Sequence, residues 1–149
     1  MIVPEAPTVH ASAVLAGARA VLIRGPAGAG KSRLVLALLD AADIGLLHVA
    51  RLVGDDRVHL EACHGRLLVR PAAALAGLIE VRGSGIRRLP YEPVAVVGLV
   101  VDLAAADAER MPAAADRETT ICDIRLPRLA VASGADPLPA VLAFVRTGT

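Results

Sequence analysis

Apolar residues in this chain fall into short clusters separated by glycine, proline and charge, a pattern of several short strands and few helices. Residues 8–14 read as a strand. The small-residue break Ala16, Gly17, Ala18 turns it into the apolar run Ala20, Val21, Leu22, Ile23, a first hairpin. Residues 33–40 carry the spacing of an amphipathic helix, whereas residues 44–49 fit neither period. The apolar stretch RLVG then ends in two adjacent carboxylates, Asp55 and Asp56. Residues 58–61 and 66–70 flank Cys63, His64 and Gly65 as a second hairpin, and 71–76 reads as a short alanine-rich helix opened by Pro71. LIEVRGSGIRRL predicts a strand with Glu80 and Arg82 on one face, running into a loop with Gly83 and Gly85. Residues 93–103 form the most apolar strand and end at Asp102, which caps a brief helix over 104–111. A polar loop over 112–119, a strand over 120–126 and a terminal helix over 138–146 complete the pattern. Strands and helices mix throughout without an internal repeat, a linker or a boundary, so the expectation is one α/β domain over residues 1–149.

One stretch changes this picture from architecture to chemistry. GPAGAGKS, Gly25 to Ser32, meets every constrained position of the phosphate-cradling pattern G-x-x-x-x-G-K-[ST], between a predicted strand and a predicted helix. The chemistry requires these residue types. Gly25, Gly28 and Gly30 let successive backbone N–H groups turn inward, and a helix N-terminus adds a field favourable to anions. Gly25, Pro26, Ala27, Gly28, Ala29, Gly30, Lys31, Ser32 and Arg33 are therefore the expected nucleotide-binding residues, for ATP with Mg²⁺. Lys31 reaches the β and γ phosphates, and Ser32 offers its hydroxyl to the metal.

Phosphoryl transfer also needs carboxylates, and the pattern offers two sets. Asp55 and Asp56 stand at a strand end, where a bend at Gly54 would aim both inward; the same pair is also a common turn sequence. Asp102 is the rival, in the position of the second magnesium-binding acid of ordinary P-loop proteins. On pattern alone His10 reads as a surface polar residue of a strand, and His59 and His64 lack a third ligand at metal-site spacing.

Composition narrows the classes. Tyr91 and Phe144 are the only aromatics in 149 residues that are 55% hydrophobic, so the core is built from Ala, Val, Leu and Ile. Few stacking platforms, a net charge of +1 and scattered arginines argue against a nucleic-acid binder. Cys63 and Cys122 form neither a disulfide framework nor a zinc set. MIVPEAPTVH has no basic and apolar leader, and no run approaches 18 uninterrupted apolar residues, so a cytoplasmic protein away from membranes is expected.

The chain resembles the catalytic domain of HPr kinase/phosphorylase, in the short alphaproteobacterial form without an N-terminal domain. Four pieces carry the resemblance in order: His10, GPAGAGKS, RLVGDD and LIEVRGSGI, together spanning roughly residues 10–102. It implies a P-loop kinase variant of the HPr kinase and phosphoenolpyruvate carboxykinase type, with a mixed β-sheet, flanking helices and β-hairpins. It implies an ATP-dependent protein serine kinase acting on HPr in phosphotransferase-system regulation. Lys31 would bind phosphate; Ser32, Asp55 and Glu80 would hold Mg²⁺; Asp56 would be the general base beside His10; Arg82, Gly83 and Gly85 belong to the signature loop. LPYEPVAVV contains no match to the family's later arginine, for which Arg87 and Arg88 are displaced candidates, and MPAAADRETT lacks the basic loop tied to phosphorolysis. Kinase activity is thus implied more strongly than phosphorylase activity. Relatives assemble as hexamers, which makes a homo-oligomer the expectation. The alternatives are a kinase of this architecture with another protein or small hydroxyl acceptor, and a nucleotide-sensing module without transfer.

Overall fold

The computed structural model describes residues 7–147. Its framework is a mixed sheet of eight strands. β1 (Ala11–Ala16) and β2 (Arg19–Arg24) form the first hairpin, paired at all six positions from Ala11↔Arg24 to Ala16↔Arg19. Helix α1 (Lys31–Asp43) follows the P-loop, and β3 (Ala50–Gly54) returns antiparallel to β1. The second hairpin is β4 (Val58–Cys63) with β5 (Arg66–Pro71). A separate two-stranded hairpin, β6 (Leu78–Val81) with β7 (Gly85–Arg88), precedes the long strand β8 (Ala95–Asp102). β9 (Glu118–Ile121), β10 (Ile124–Ala130) and helix α2 (Leu138–Thr147) end the described chain. The sheet order is β3-β1-β2-β8-β10-β9, with β5 also pairing β8 and β4 pairing β5. β2, β8 and β10 run parallel, which brings their C-terminal ends, and the P-loop after β2, to one edge.

Two apolar cores lie on the two faces of this sheet. Val21 and Ile23 of β2 point to the core covered by Leu34, Val35 and Leu38 of α1 and Val141 and Leu142 of α2; Ala20 and Leu22 point to the other, with Val58, Leu67 and Val69. Period-two alternation thus buries both faces of β2, the pattern expected of a central strand flanked on both sides. Each large aliphatic side chain sealed here contributes about 1.5–3 kcal/mol. In β8 the register against β2 slips between Ala20↔Val97 and Val21↔Leu99, leaving Gly98 as an extra residue. The bulge inverts the side-chain parity: Ala95 and Val97 face one core, Leu99 and Val101 the other.

The mixed α/β expectation holds, while several boundaries change. The first strand starts at Ala11, with Val9 reduced to an isolated bridge to Val58, and α1 extends beyond 33–40 at both ends, opened by Gly30 and running to Asp43. Residues 71–76 hold only a 3₁₀ turn, Ala73–Leu75, since Pro71 is spent as the last residue of β5. The segment LIEVRGSGIRRL is a hairpin rather than a strand and a loop, turned at Arg82–Ser84 with Gly83 at φ 82. No helix forms over 104–111: Asp102 is the end of β8, and Ala104 at φ 53 leaves the right-handed region at once. The segment 112–119 contains the 3₁₀ turn Ala114–Arg117 and the start of β9. The single strand expected over 120–126 is a tight hairpin, whose turn residues Cys122 and Asp123 have φ of 50 and 63, the positive pair of a two-residue hairpin turn. Among the described residues no helix is long and apolar enough to cross a membrane.

Candidate functional site

The site is built at the C-terminal edge of the parallel strands, beginning with the loop between β2 and α1. Gly25 is packed against Leu103, where a Cβ would meet Leu103 Cβ at 3.1 Å and its carbonyl oxygen at 3.2 Å. Gly30 sits in the left-handed region at φ 102 and caps α1 with its carbonyl, which accepts the Leu34 N–H at 3.0 Å. Lys31 is only 7% exposed, and its Nζ donates to the carbonyls of Gly25 at 2.8 Å and Pro26 at 3.2 Å. The ammonium is thereby held against the loop, folded back on the backbone it would share with a phosphate.

Beside it lies Asp55, a carboxylate only 5% exposed. Its Oδ1 accepts the hydroxyls of Ser12 at 2.8 Å and Ser32 at 2.7 Å, and its Oδ2 accepts the Glu80 N–H at 3.3 Å. Four separate elements therefore meet on one acid: β1, α1, the end of β3 and β6. Ser12 also accepts the Asp56 N–H at 3.1 Å, so one buried hydroxyl ties both acids to β1. Asp56 turns outward from there and lies 2.6 Å from His10 Nε2 through its Oδ1. An ionised carboxylate only accepts, so His10 is the donor.

The backbone explains how two neighbouring acids reach one site. The register between β1 and β3 slips at Ala13/Val14, leaving Val53 as an extra residue and bending the strand end. The sharper change is at Asp56, whose φ of 69 is left-handed. The bend is thus not at Gly54. That glycine serves close packing instead, since a Cβ there would stand 2.7 Å from Val58 Cγ1 and 3.2 Å from Pro71 Cα.

The expected site residues are therefore drawn together in large part. Ser32, Asp55, Asp56, His10 and the backbone of Glu80 form one hydrogen-bonded set, with Lys31 next to Ser32 in chain. The Glu80 side chain is exposed and makes no hydrogen bond among the described residues. Arg33 is exposed on the first turn of α1, and Arg82, Gly83 and Gly85 lie at the exposed tip of the β6–β7 hairpin. Arg87 donates to Ser84 Oγ at 2.7 Å, and Arg88 is exposed on β7. Ser12 was not anticipated. Its signal was present, as a lone polar residue inside the apolar strand ASAVLA, and it is completely buried.

Asp102 stands apart from this hydrogen-bonded set, and it is the last residue of β8 rather than a helix cap. Arg24 grips it in a bidentate pair, Nε to Oδ1 at 2.7 Å and Nη2 to Oδ2 at 2.9 Å, and Arg128 Nε adds a bond to Oδ2 at 2.6 Å. Arg128 in turn holds both oxygens of Asp107, at 2.8 and 3.0 Å. Burial acts to raise the Asp102 pKa, but the hydrogen bonds and charges of Arg24 and Arg128 outweigh it and hold the carboxyl below 3.8. Arg128 is displaced upward by the same two acids, Asp107 first.

The donor set around Asp55 suits a hard cation. Ser32 and Asp55 offer oxygen only, a hydroxyl and a carboxylate, while Glu80 reaches Asp55 through its backbone N–H; Mg²⁺ is commonly held by one or two carboxylates with phosphate oxygens and water completing the shell.

Among solved structures the chain is similar to the Hpr(Ser) kinase/phosphatase from Coxiella burnetii, with a TM-score of 0.76 and 27% identity over 96% of this chain and 96% of that one. No family model matches the chain, and no curated protein matches it in sequence. The fold is that of an HPr-kinase-like catalytic domain, mixed sheet and helices together, as the residue resemblance implied.

Proposed function

We propose that the chain is an ATP-dependent protein serine kinase that phosphorylates HPr, with Asp56 as the general base. The observation that supports this most directly is the pairing of two acids of different character at one P-loop. Asp55 is buried and bonded to Ser12 and Ser32; Asp56 is open to solvent and, among the described residues, bonded only to His10 through its side chain. A buried acid tied to the P-loop serine is placed to serve the phosphate side of the reaction. An accessible acid next to it is placed to meet an incoming hydroxyl.

Lys31 binds phosphate. Its present acceptors are neutral carbonyls, and a charged phosphate oxygen is the stronger partner, so the ammonium exchanges one for the other when nucleotide enters. Ser32, Asp55 and Glu80 would hold Mg²⁺, which when bound neutralises phosphate charge as the terminal group transfers. Asp56 accepts the proton of the attacking serine hydroxyl. The His10 hydrogen bond fixes which carboxylate oxygen is already engaged, leaving Oδ2 to the substrate.

Transfer of label from γ-labelled ATP to the serine of purified HPr tests this reading, with Lys31→Ala as the control that abolishes it. Robust nucleotide binding without any labelled HPr would overturn the assignment of acceptor.

A further inference from the structure

The edge of the sheet opposite the P-loop carries a cavity that phosphoryl transfer does not use. β10 meets β8 only from Arg128 on, opposite Val100, while its first half, Ile124 to Pro127, pairs with β9 instead. Before Val100 the two strands part, and both line a cavity of about 530 Å³. That size is within the roughly 300–1,000 Å³ common for small-molecule sites. The bulge residue Gly98 shapes one wall. A Cβ there would stand 2.7 and 2.8 Å from Arg19 Cδ and Cβ, so the absent side chain lets the Arg19 stem lie directly on the strand.

Two properties of the lining point to one ligand chemistry. Part of the lining is apolar, with Val97, Leu99 and Leu126 and with Phe144 contributed by α2. Among the described residues the charges are all of one sign: Arg19, Arg66 and Arg125 line the cavity and no carboxylate does, in a chain whose 16 basic and 15 acidic residues nearly balance. Arg19 and Arg66 make no ion pair among the described residues. Arg125 has one, to Glu118 at 3.6 Å, with 78% of its own side chain exposed. Guanidinium groups on an apolar bed are suited to an anionic head attached to an apolar body.

We infer that this cavity is a second ligand site, for a small amphipathic anion whose carboxylate, sulfonate or phosphate head meets the arginines. It is separate from the nucleotide site, at the N-terminal ends of β2, β8 and β10 rather than their C-terminal ends. The inference does not depend on the kinase reading.

The probe is anilinonaphthalenesulfonate, an apolar anion whose fluorescence rises on binding, titrated into the whole chain alongside a fluorescent ATP analogue. Saturable binding near one dye per chain is expected, with displacement by octanoate or by octyl phosphate identifying the favoured head group. Arg19→Ala/Arg66→Ala should weaken dye binding by about tenfold or more, as loss of charge-assisted contacts implies. Binding of the ATP analogue should stay within about twofold under the same loss, since no P-loop contact changes. Arg66→Glu, at an exposed position, gives the same direction of change should the double variant unfold. Dye affinity unchanged in these variants, many dyes per chain, or equal displacement by octanol or by inorganic phosphate alone would overturn the site.

Discussion

Asp55 is only 5% exposed, and its two oxygens are engaged by the hydroxyls of Ser12 and Ser32 and by the Glu80 N–H, as a buried polar group requires. Ser12→Ala removes one of these donors and also orphans the Asp56 N–H. It should cost about 1–3 kcal/mol in chemical denaturation. It should also lower the single-turnover transfer rate while ATP affinity is kept, because Ser12 positions both acids and lies outside the P-loop. Asp56→Asn has a different signature. It retains ATP affinity within a few-fold and lowers HPr phosphorylation by about 10²- to 10⁴-fold, the usual contribution of a positioned base. Paired nucleotide titration and single-turnover measurements read both variants. Glu80→Gln should raise the Mg²⁺ concentration needed for half-maximal transfer, an amide being a poorer ligand for a hard cation; an unchanged magnesium titration would remove Glu80 from the metal's neighbours.

At the scale of elements, the site depends on how β3 ends. The strand closes against the β4–β5 hairpin so tightly at Gly54 that no side chain fits, and the next two residues are the acids. Gly54→Ala should destabilise the fold by about 1–3 kcal/mol, as overpacking does, and this shows as a lowered denaturation midpoint. Because the clash includes Pro71 Cα as well as the tip of Val58, side-chain rotation alone does not relieve it. The same variant should depress transfer more than nucleotide binding, since β3 carries the acids and β2 carries the loop. Retained stability and full transfer would show that the strand end yields at little cost.

Across the whole molecule, Asp102 joins three parallel strands and the loop that follows β8. Arg24 comes from β2, Arg128 from β10, and Arg128 extends the pairing to Asp107. The Asp102 carboxyl is held below its ordinary pKa, so the folded state binds fewer protons than the unfolded one near that pH. The stabilisation is therefore complete above the unfolded value near 3.8 and is lost as pH falls through the depressed folded value. Asp102→Asn should lower stability at neutral pH and flatten its decline below about pH 4. Single-turnover transfer in the folded variant should match the parent. A variant that stays stable and loses transfer would return Asp102 to the catalytic set. Thermal melts from pH 3 to 7, with transfer at pH 7, decide between these outcomes.

What the amino-acid order determined by itself was local. GPAGAGKS is one contiguous turn of backbone whose glycines, lysine and serine are neighbours in sequence, so pattern alone identifies it. The mixed α/β character and the first two hairpins were legible for the same reason, since alternation and turn residues are short-range signals. The later hairpins were missed because Cys122 is not a usual residue for positive φ, and because Gly83 and Gly85 read equally well as a loop. The roles of the acids needed tertiary structure. Asp55 meets Ser12 across 43 positions, Asp56 meets His10 across 46, and Arg24 meets Asp102 across 78. An aspartate has the same composition in a turn, beside a metal or in an ion pair. Only the groups that folding brings within hydrogen-bond distance distinguish them, and those groups lie too far along the chain for any local pattern to report.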